Sequence, residues 1–284
     1  MRAVAVVAGY GLREAARRRS FLVVVLLTGA FLALYWLGVE RAFEEVRASG
    51  TDSFGVDAEI VAGAVLFGLA MFATLFLGAV LVIFLTVGAV RGDAERGLLQ
   101  PLLVRPLSRH LFLIGRFAGA AAVGAAYTLA LFFAALALTN AAGGWWPDRL
   151  LAPALELAAG VVLICALSVL GSVLLSSTAN GMAVFMLFGA GLVGGLLGQI
   201  AAAIGSETLA GVSEKVIWAL PFEALYQDAL YRITADSHGP TRFVLQLGPF
   251  GGAQPAGTWL FAWAAGYTAL VGLAAGLLLR RRDL

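Results

Sequence analysis

Lysine occurs once in this 284-residue chain, at Lys215, and cysteine once, at Cys165; histidine occurs twice, at His110 and His238. Each scarcity closes a class of chemistry. Lys215 lies between Glu214 and Val216, so no Gly-x-x-x-x-Gly-Lys-Ser/Thr phosphate loop exists, and any nucleotide-driven step belongs to another chain. A single cysteine excludes an intrachain disulfide, and its apolar surroundings read as burial. No His-Glu-x-x-His or Gly-x-Ser-x-Gly occurs, so neither a metal hydrolase nor a serine hydrolase is supported. Gly9-Tyr10-Gly11 opens a dinucleotide-like pattern but lacks its third glycine. No catalytic, cofactor-binding or metal-binding residue is expected, and no nucleic-acid partner.

Charge is also scarce. Only 13% of residues are charged and 61% are hydrophobic, whereas soluble domains run near 25% charged. The apolar runs are continuous and about 20 residues or longer, which excludes an outer-membrane barrel of short alternating strands. The expected fold is all-α, a polytopic membrane protein with six transmembrane helices in a single domain over 1–284. The spans read as 21–39, 60–90, 117–139, 152–175, 181–204 and 259–279. At about 1.5 Å per residue the second would rise about 46 Å, more than a bilayer core needs. Residues 1–19 read as an interfacial amphipathic helix, and the run after them is too long for a secretory signal. Glu40 to Glu59 reads as an acidic loop, Trp145 and Trp146 as an interfacial aromatic pair, and Ser176 to Asn180 as a tight polar turn. Residues 205–258 read as an extracytosolic or re-entrant segment containing one amphipathic helix, Val212 to Ile233.

The arginines set the orientation. Thirteen of the nineteen basic residues fall in the amino-terminal segment, in Arg91 to Arg116 and in the carboxyl tail. Twelve acids fall in the loops opposite, against four on the basic side. The positive-inside rule therefore places both ends and the elbow 91–116 in the cytosol of a multi-pass protein of the cytoplasmic (inner) membrane.

Three features are candidates for function. Glu156 is the one acid close to a span and is a possible pathway residue; about four residues in, it is also near enough to the surface to reach headgroups or water. Gly191, Gly194, Gly195 and Gly198 form small-xxx-small pairs on the fifth span, open to packing within one subunit, between subunits or at a gate. The elbow places Asp93 and Glu95 before Leu98, Leu99, Leu102 and Leu103, a short amphipathic helix with acids at its dipole-positive start. Pro101 kinks or ends that helix, Pro106 ends the segment, and Ser108 can cap the next helix.

The elbow resembles the signature loop of permeases of the type-2 ATP-binding-cassette (ABC) exporter family. It reads Asp93-Ala-Glu95-Arg-Gly97-Leu98-Leu99, then Leu102-Leu103-Val-Arg-Pro106-Leu-Ser108-Arg109, then Gly115-Arg116. It departs from the family pattern in Asp93 for Glu, Leu98 for Thr and Arg116 for Lys. Pro221-Phe222-Glu223 resembles a motif of the branch that serves maturation of multicopper enzymes such as nitrous oxide reductase. The resemblance implies a cytosolic coupling helix between the second and third spans, seated in a separate ABC ATPase that binds ATP and Mg. It also implies two ATPase copies and a second permease subunit in a homo- or heterodimer. Asp93, Glu95, Gly97, Pro101, Pro106, Ser108 and Arg109 are then ATPase-coupling residues, and Gly191 and Gly195 are dimer-interface candidates. Rival readings are an exporter of drug, lipid or glycan in the same family and, in a different class, a secondary transporter or channel. The last predicts ionisable groups at mid-membrane and internal repeats.

Overall fold

A computed structural model describes residues 19–49, 57–87, 109–237, 241 and 255–280. Among them the chain is all helical: α1 Arg19–Ser49, α2 Ala58–Thr86, α3 Arg109–Gly143, α4 Leu151–Leu174, α5 Ser177–Ile204, α6 Glu207–Ala219, α7 Pro221–Ile233 and α8 Leu260–Arg280. Six of the eight, all but α6 and α7, are long and apolar enough to cross a membrane. The interfacial helix at 1–18 and the elbow from 91 to Ser108 lie outside the described residues. Arg109 begins α3.

Helices α2 and α4 form the middle of the bundle. Both are apolar on every side, as a helix surrounded by other helices must be. Phe67, Met71, Leu75 and Ile83 of α2 and Leu157, Leu163 and Ile164 of α4 are almost completely buried. Glycines set the close approaches. A Cβ at Gly78 would strike Val161 and Thr128, and one at Gly160 would press on Leu75. Helix α2 starts on Asp57, whose carboxylate accepts from the Glu59 and Ile60 amides at 3.1 Å, which satisfies two of the donors a helix start leaves open. It ends at Thr86, capped by Val87. Thr86 Oγ1 donates to Ser168 Oγ at 2.6 Å, which ties this end to α4.

Helix α1 packs on α2 and α3 and turns Leu22, Leu26, Leu34 and Leu37 outward. Its inner face is pinned by Thr28 to Tyr127 at 2.5 Å and by Tyr35 to Thr139 at 2.6 Å. The acidic loop expected from Glu40 is helical as far as Ser49. The reason lies in Phe43, which is fully buried on the space left by Gly143. Arg47 adds a hydrogen bond from Nη2 to the Ala142 carbonyl at 3.1 Å.

Two further expectations are corrected. Trp145 does not join an interfacial belt with Trp146: it turns inward against Gly63 and Phe67, with ring centroids 5.7 Å apart from Phe67. The positive φ of Gly144 (69°) turns the chain there, a conformation that suits glycine. Trp146 alone is exposed. The polar turn at Ser176–Asn180 is shorter than expected, because α5 already begins at Ser177. Asn180 is buried and donates from Nδ2 to the Ser168 carbonyl at 2.9 Å.

The single amphipathic helix expected over Val212–Ile233 is two helices. Proline at 221 cannot donate to the preceding turn and pushes Leu220 out of the α region; Leu220 has φ −125° and ψ 75°. Pro221 then starts α7 at the position where a missing N–H costs nothing. Before it, Gly205 in the left-handed conformation (φ 68°) ends α5, and Ser206 N–H bonds back to the Ala201 carbonyl at 3.0 Å, a Schellman-type reversal. Ser206 Oγ accepts from Leu209 N–H to start α6. The α6–α7 pair is therefore a hairpin that turns back into the bundle.

Candidate functional site

The hairpin descends along α5. Gly191, Gly194, Gly195 and Gly198 lie one turn apart on a single face, and each meets the hairpin. A Cβ would strike Phe222 from Gly191, Val216 from Gly194, Glu223 and Gln227 from Gly195, and Ser213 from Gly198. Ser213 Oγ also donates to the Gly194 carbonyl at 2.7 Å. The glycine stripe is thus a packing face filled by this chain's own α6 and α7. Gly189, off that face, meets nothing within 4 Å.

Phe222 marks how deep the tip goes. It stacks on Phe188 with centroids 5.6 Å apart and touches Gly160 and Gly191. At about 1.5 Å per residue, Gly191 is about 20 Å from the Ile204 end of α5. A bilayer core is about 30 Å thick, so the tip stands near the middle of the bundle. The other end of α7 is fastened to the α3–α4 connection: the Asp148 amide donates to the Ile233 carbonyl at 3.2 Å, and the Asp236 amide to Asp148 Oδ2 at 2.8 Å.

Two sets of polar side chains run along α7. Near the tip, Glu223 is 3% exposed. Its Oε1 accepts from Gln227 Nε2 at 3.1 Å, and Oε2 has no hydrogen-bond partner. One turn further on, Asp228 and Arg232 face α4. Arg232 Nε stands 2.7 Å from Asp228 Oδ2 and 2.8 Å from Glu156 Oε1. Its single N–H is directed at Asp228, so the contact with Glu156 is electrostatic and both Glu156 oxygens lack a hydrogen-bond donor. Asp228 Oδ1 accepts in addition from the Ala256 amide at 2.9 Å, which brings in the segment before α8.

Glu156 therefore does not reach water as its position near the helix start suggested. It is fully buried, and Arg232, one-third exposed, reaches it from α7. Sequence reading singled out Glu156 but missed Asp228 and Arg232 as its companions. The Asp228-xxx-Arg232 spacing was the available signal; the partner across 76 positions of sequence had none.

Between α5, α6 and α7 lies a cavity of about 540 Å³ whose lining includes Ser213, Glu214, Gln227 and Ala256. Aromatic rings close the side toward α8: Trp218 stacks on Trp259 at 4.4 Å, and Trp263 Nε1 donates to the Trp218 carbonyl at 3.3 Å. No group of three or more His, Cys, Asp or Glu side chains able to hold a metal ion occurs among the described residues. Cys165 is buried.

Six apolar helices, with a hairpin carrying buried acids packed among α2, α4, α5 and α8, have the form of a helical membrane transport domain, since ionisable groups placed inside a bundle mark pathways or the elements that line them. The chain matches the ABC-2 family transporter protein family over residues 5–284, and it belongs to that family. It is a multi-pass permease component of an ABC transporter. No curated protein matches it.

Proposed function

We propose that the chain is the membrane half of an ATP-driven exporter of the cytoplasmic membrane, with both ends of the chain and the elbow 91–116 in the cytosol. The family match over nearly the whole chain carries this reading, together with the missing phosphate loop. Two permease subunits pair, and each elbow seats in a separate ABC ATPase that binds ATP and Mg. Asp93, Glu95, Gly97, Pro101, Pro106, Ser108 and Arg109 form the seat. Closure of the ATPase dimer then tilts the helix bundle as a rigid body.

Within this scheme the α6–α7 hairpin is the gate on the side away from the ATPase. Its packing on α5 uses glycines, which allow close approach without interlocking side chains. Among the described residues, the Glu156–Arg232–Asp228 network ties it to α4 by charge. Pro221, Phe222 and Glu223, which carry the resemblance to the multicopper-enzyme maturation branch, form the tip of that gate. A sulfur or copper species for enzyme maturation is the cargo this branch would move.

Affinity purification from the native membrane tests the reading. An ABC ATPase should co-purify, and the complex should hydrolyse ATP in liposomes. A chain that purifies without any nucleotide-binding partner and moves cargo down an ion gradient would overturn it.

A further inference from the structure

A second cavity lies at the opposite end of the bundle, where α3 begins and α8 ends. Its volume is about 680 Å³. Ile114 and Phe117 of α3, Val169 of α4, and Gly272, Leu273 and Leu277 of α8 wall it. Among the described residues three polar side chains reach it, Thr268, His110 and Arg280. Thr268 Oγ1 is already committed to the Ala264 carbonyl at 2.8 Å. The polar capacity is therefore concentrated at one end. There Arg280 Nε donates to His110 Nε2, so the guanidinium charge stands at that end. The sequence continues with Arg281 and Arg282.

Small residues keep the trough open. A Cβ at Gly272 would meet nothing within 4 Å, and Gly276 lets the His110 ring lie across α8. From Thr268 to Arg280 the trough runs about 18 Å along α8, close to the roughly 15 Å of one leaflet of a bilayer core. Its rim is exposed: Leu273 is 69% exposed and Ile114 54%, so it opens sideways, in the direction lipid would occupy.

We propose that this trough holds a phospholipid with an anionic headgroup, one acyl chain lying along α8 and the phosphate at Arg280 and His110. The apolar length argues for a chain, and the cationic end argues for an anionic headgroup. A free phosphate would need only the mouth. The proposal rests on the multi-pass reading and is independent of the ATPase or of which way the chain faces.

The test uses the full chain, with any co-purifying ATPase, delipidated in detergent. Dioleoyl phosphatidylglycerol or dioleoyl phosphatidylcholine is added, and bound lipid is counted by native mass spectrometry alongside the thermal midpoint. Phosphatidylglycerol should be retained and raise the midpoint, while phosphatidylcholine is lost. Arg280→Ala should weaken phosphatidylglycerol retention by about fivefold, the weight of one basic residue at an anionic surface. Gly272→Leu should abolish retention with the lipid-free midpoint unchanged, because the leucine enters open space. Equal retention of the two lipids, or full retention by Gly272→Leu, would overturn the proposal. So would displacement of the lipid by glycerol phosphate, which would make this a soluble-anion site. A loss of dimer in Gly272→Leu would assign the trough to a second copy of the chain instead.

Discussion

Gly195 of α5 lies directly against the Glu223 carboxylate of α7, so that even one added carbon at 195 would overlap Oε1. The absence of a side chain at 195 is what allows a carboxyl group to sit between two helices near mid-bundle. The backbone approach and the buried acid are one feature.

Gly195→Leu should therefore push the hairpin away from α5. Overpacking of a filled interior costs about 1–3 kcal/mol, read as a lower thermal midpoint in detergent. Adding Glu223→Ala frees the volume at the point of contact and should recover part of the loss, with a coupling of at least about 0.5 kcal/mol in the double-mutant cycle. Strict additivity would show that the two residues do not meet. Gly189→Leu, on the open face of the same helix, is the control and should leave the midpoint unchanged.

The Arg232 network makes a prediction with a sign in each direction. Removing the one cation, as in Arg232→Met, leaves Glu156 and Asp228 buried without it. Breaking a buried pair costs about 3–5 kcal/mol, and the partial exposure of Arg232 places the expected loss at the low end. Glu156→Gln should do the opposite. It removes the carboxylate that receives no hydrogen bond and leaves a balanced Arg232–Asp228 pair, so the midpoint should hold or rise. A loss from Glu156→Gln as large as that from Arg232→Met would show that Glu156, and not Asp228, is the main partner.

How far the sequence revealed this arrangement follows from the range of each interaction. The six spans were legible because apolar runs of bilayer length are local. The break in the hairpin was legible too, at Leu220-Pro221, yet the amphipathic pattern of 212–233 hid it by continuing across the proline. Trp145 and Trp146 look identical in sequence; only the turn at Gly144 and the space at Gly63 decide which faces inward. Charged residues made 40–49 resemble a loop, whereas one aromatic, Phe43, seated on a glycine a hundred positions away, holds it helical. Glu156 stood out as an anomaly, but its cation comes from α7, a helix that follows the next span in the sequence.

Phe43 allows that explanation to be checked. Phe43→Ala should cost about 3 kcal/mol, the lower end for a buried phenylalanine, and should expose the end of α1. Limited proteolysis then ought to cut between Glu40 and Ser49 in the variant and not in the parent. Gly143→Leu should produce the same cleavage, because it removes the seat while leaving the ring intact. Cleavage in neither variant would mean that the end of α1 is held by Arg47 and its contacts with Ala142 and Glu59.

The coupling assignment yields the last prediction. If 91–116 is where the ATPase pushes, its acids and Arg109 matter for communication and not for folding. Glu95→Ala and Arg109→Ala should then leave expression and the thermal midpoint of the isolated permease unchanged. In the complex with the ATPase, each should lower ATP hydrolysis in liposomes or the fraction of ATPase retained on purification. The loss of one charge-assisted contact, about 1.5–3 kcal/mol, corresponds to a weakening of roughly tenfold or more. The double variant separates two cases. An effect no larger than that of either single change places both side chains in one contact, while multiplied effects place them in two. Full activity and full ATPase retention in the double variant would remove the elbow from the coupling path, leaving the family membership and the hairpin gate standing without it.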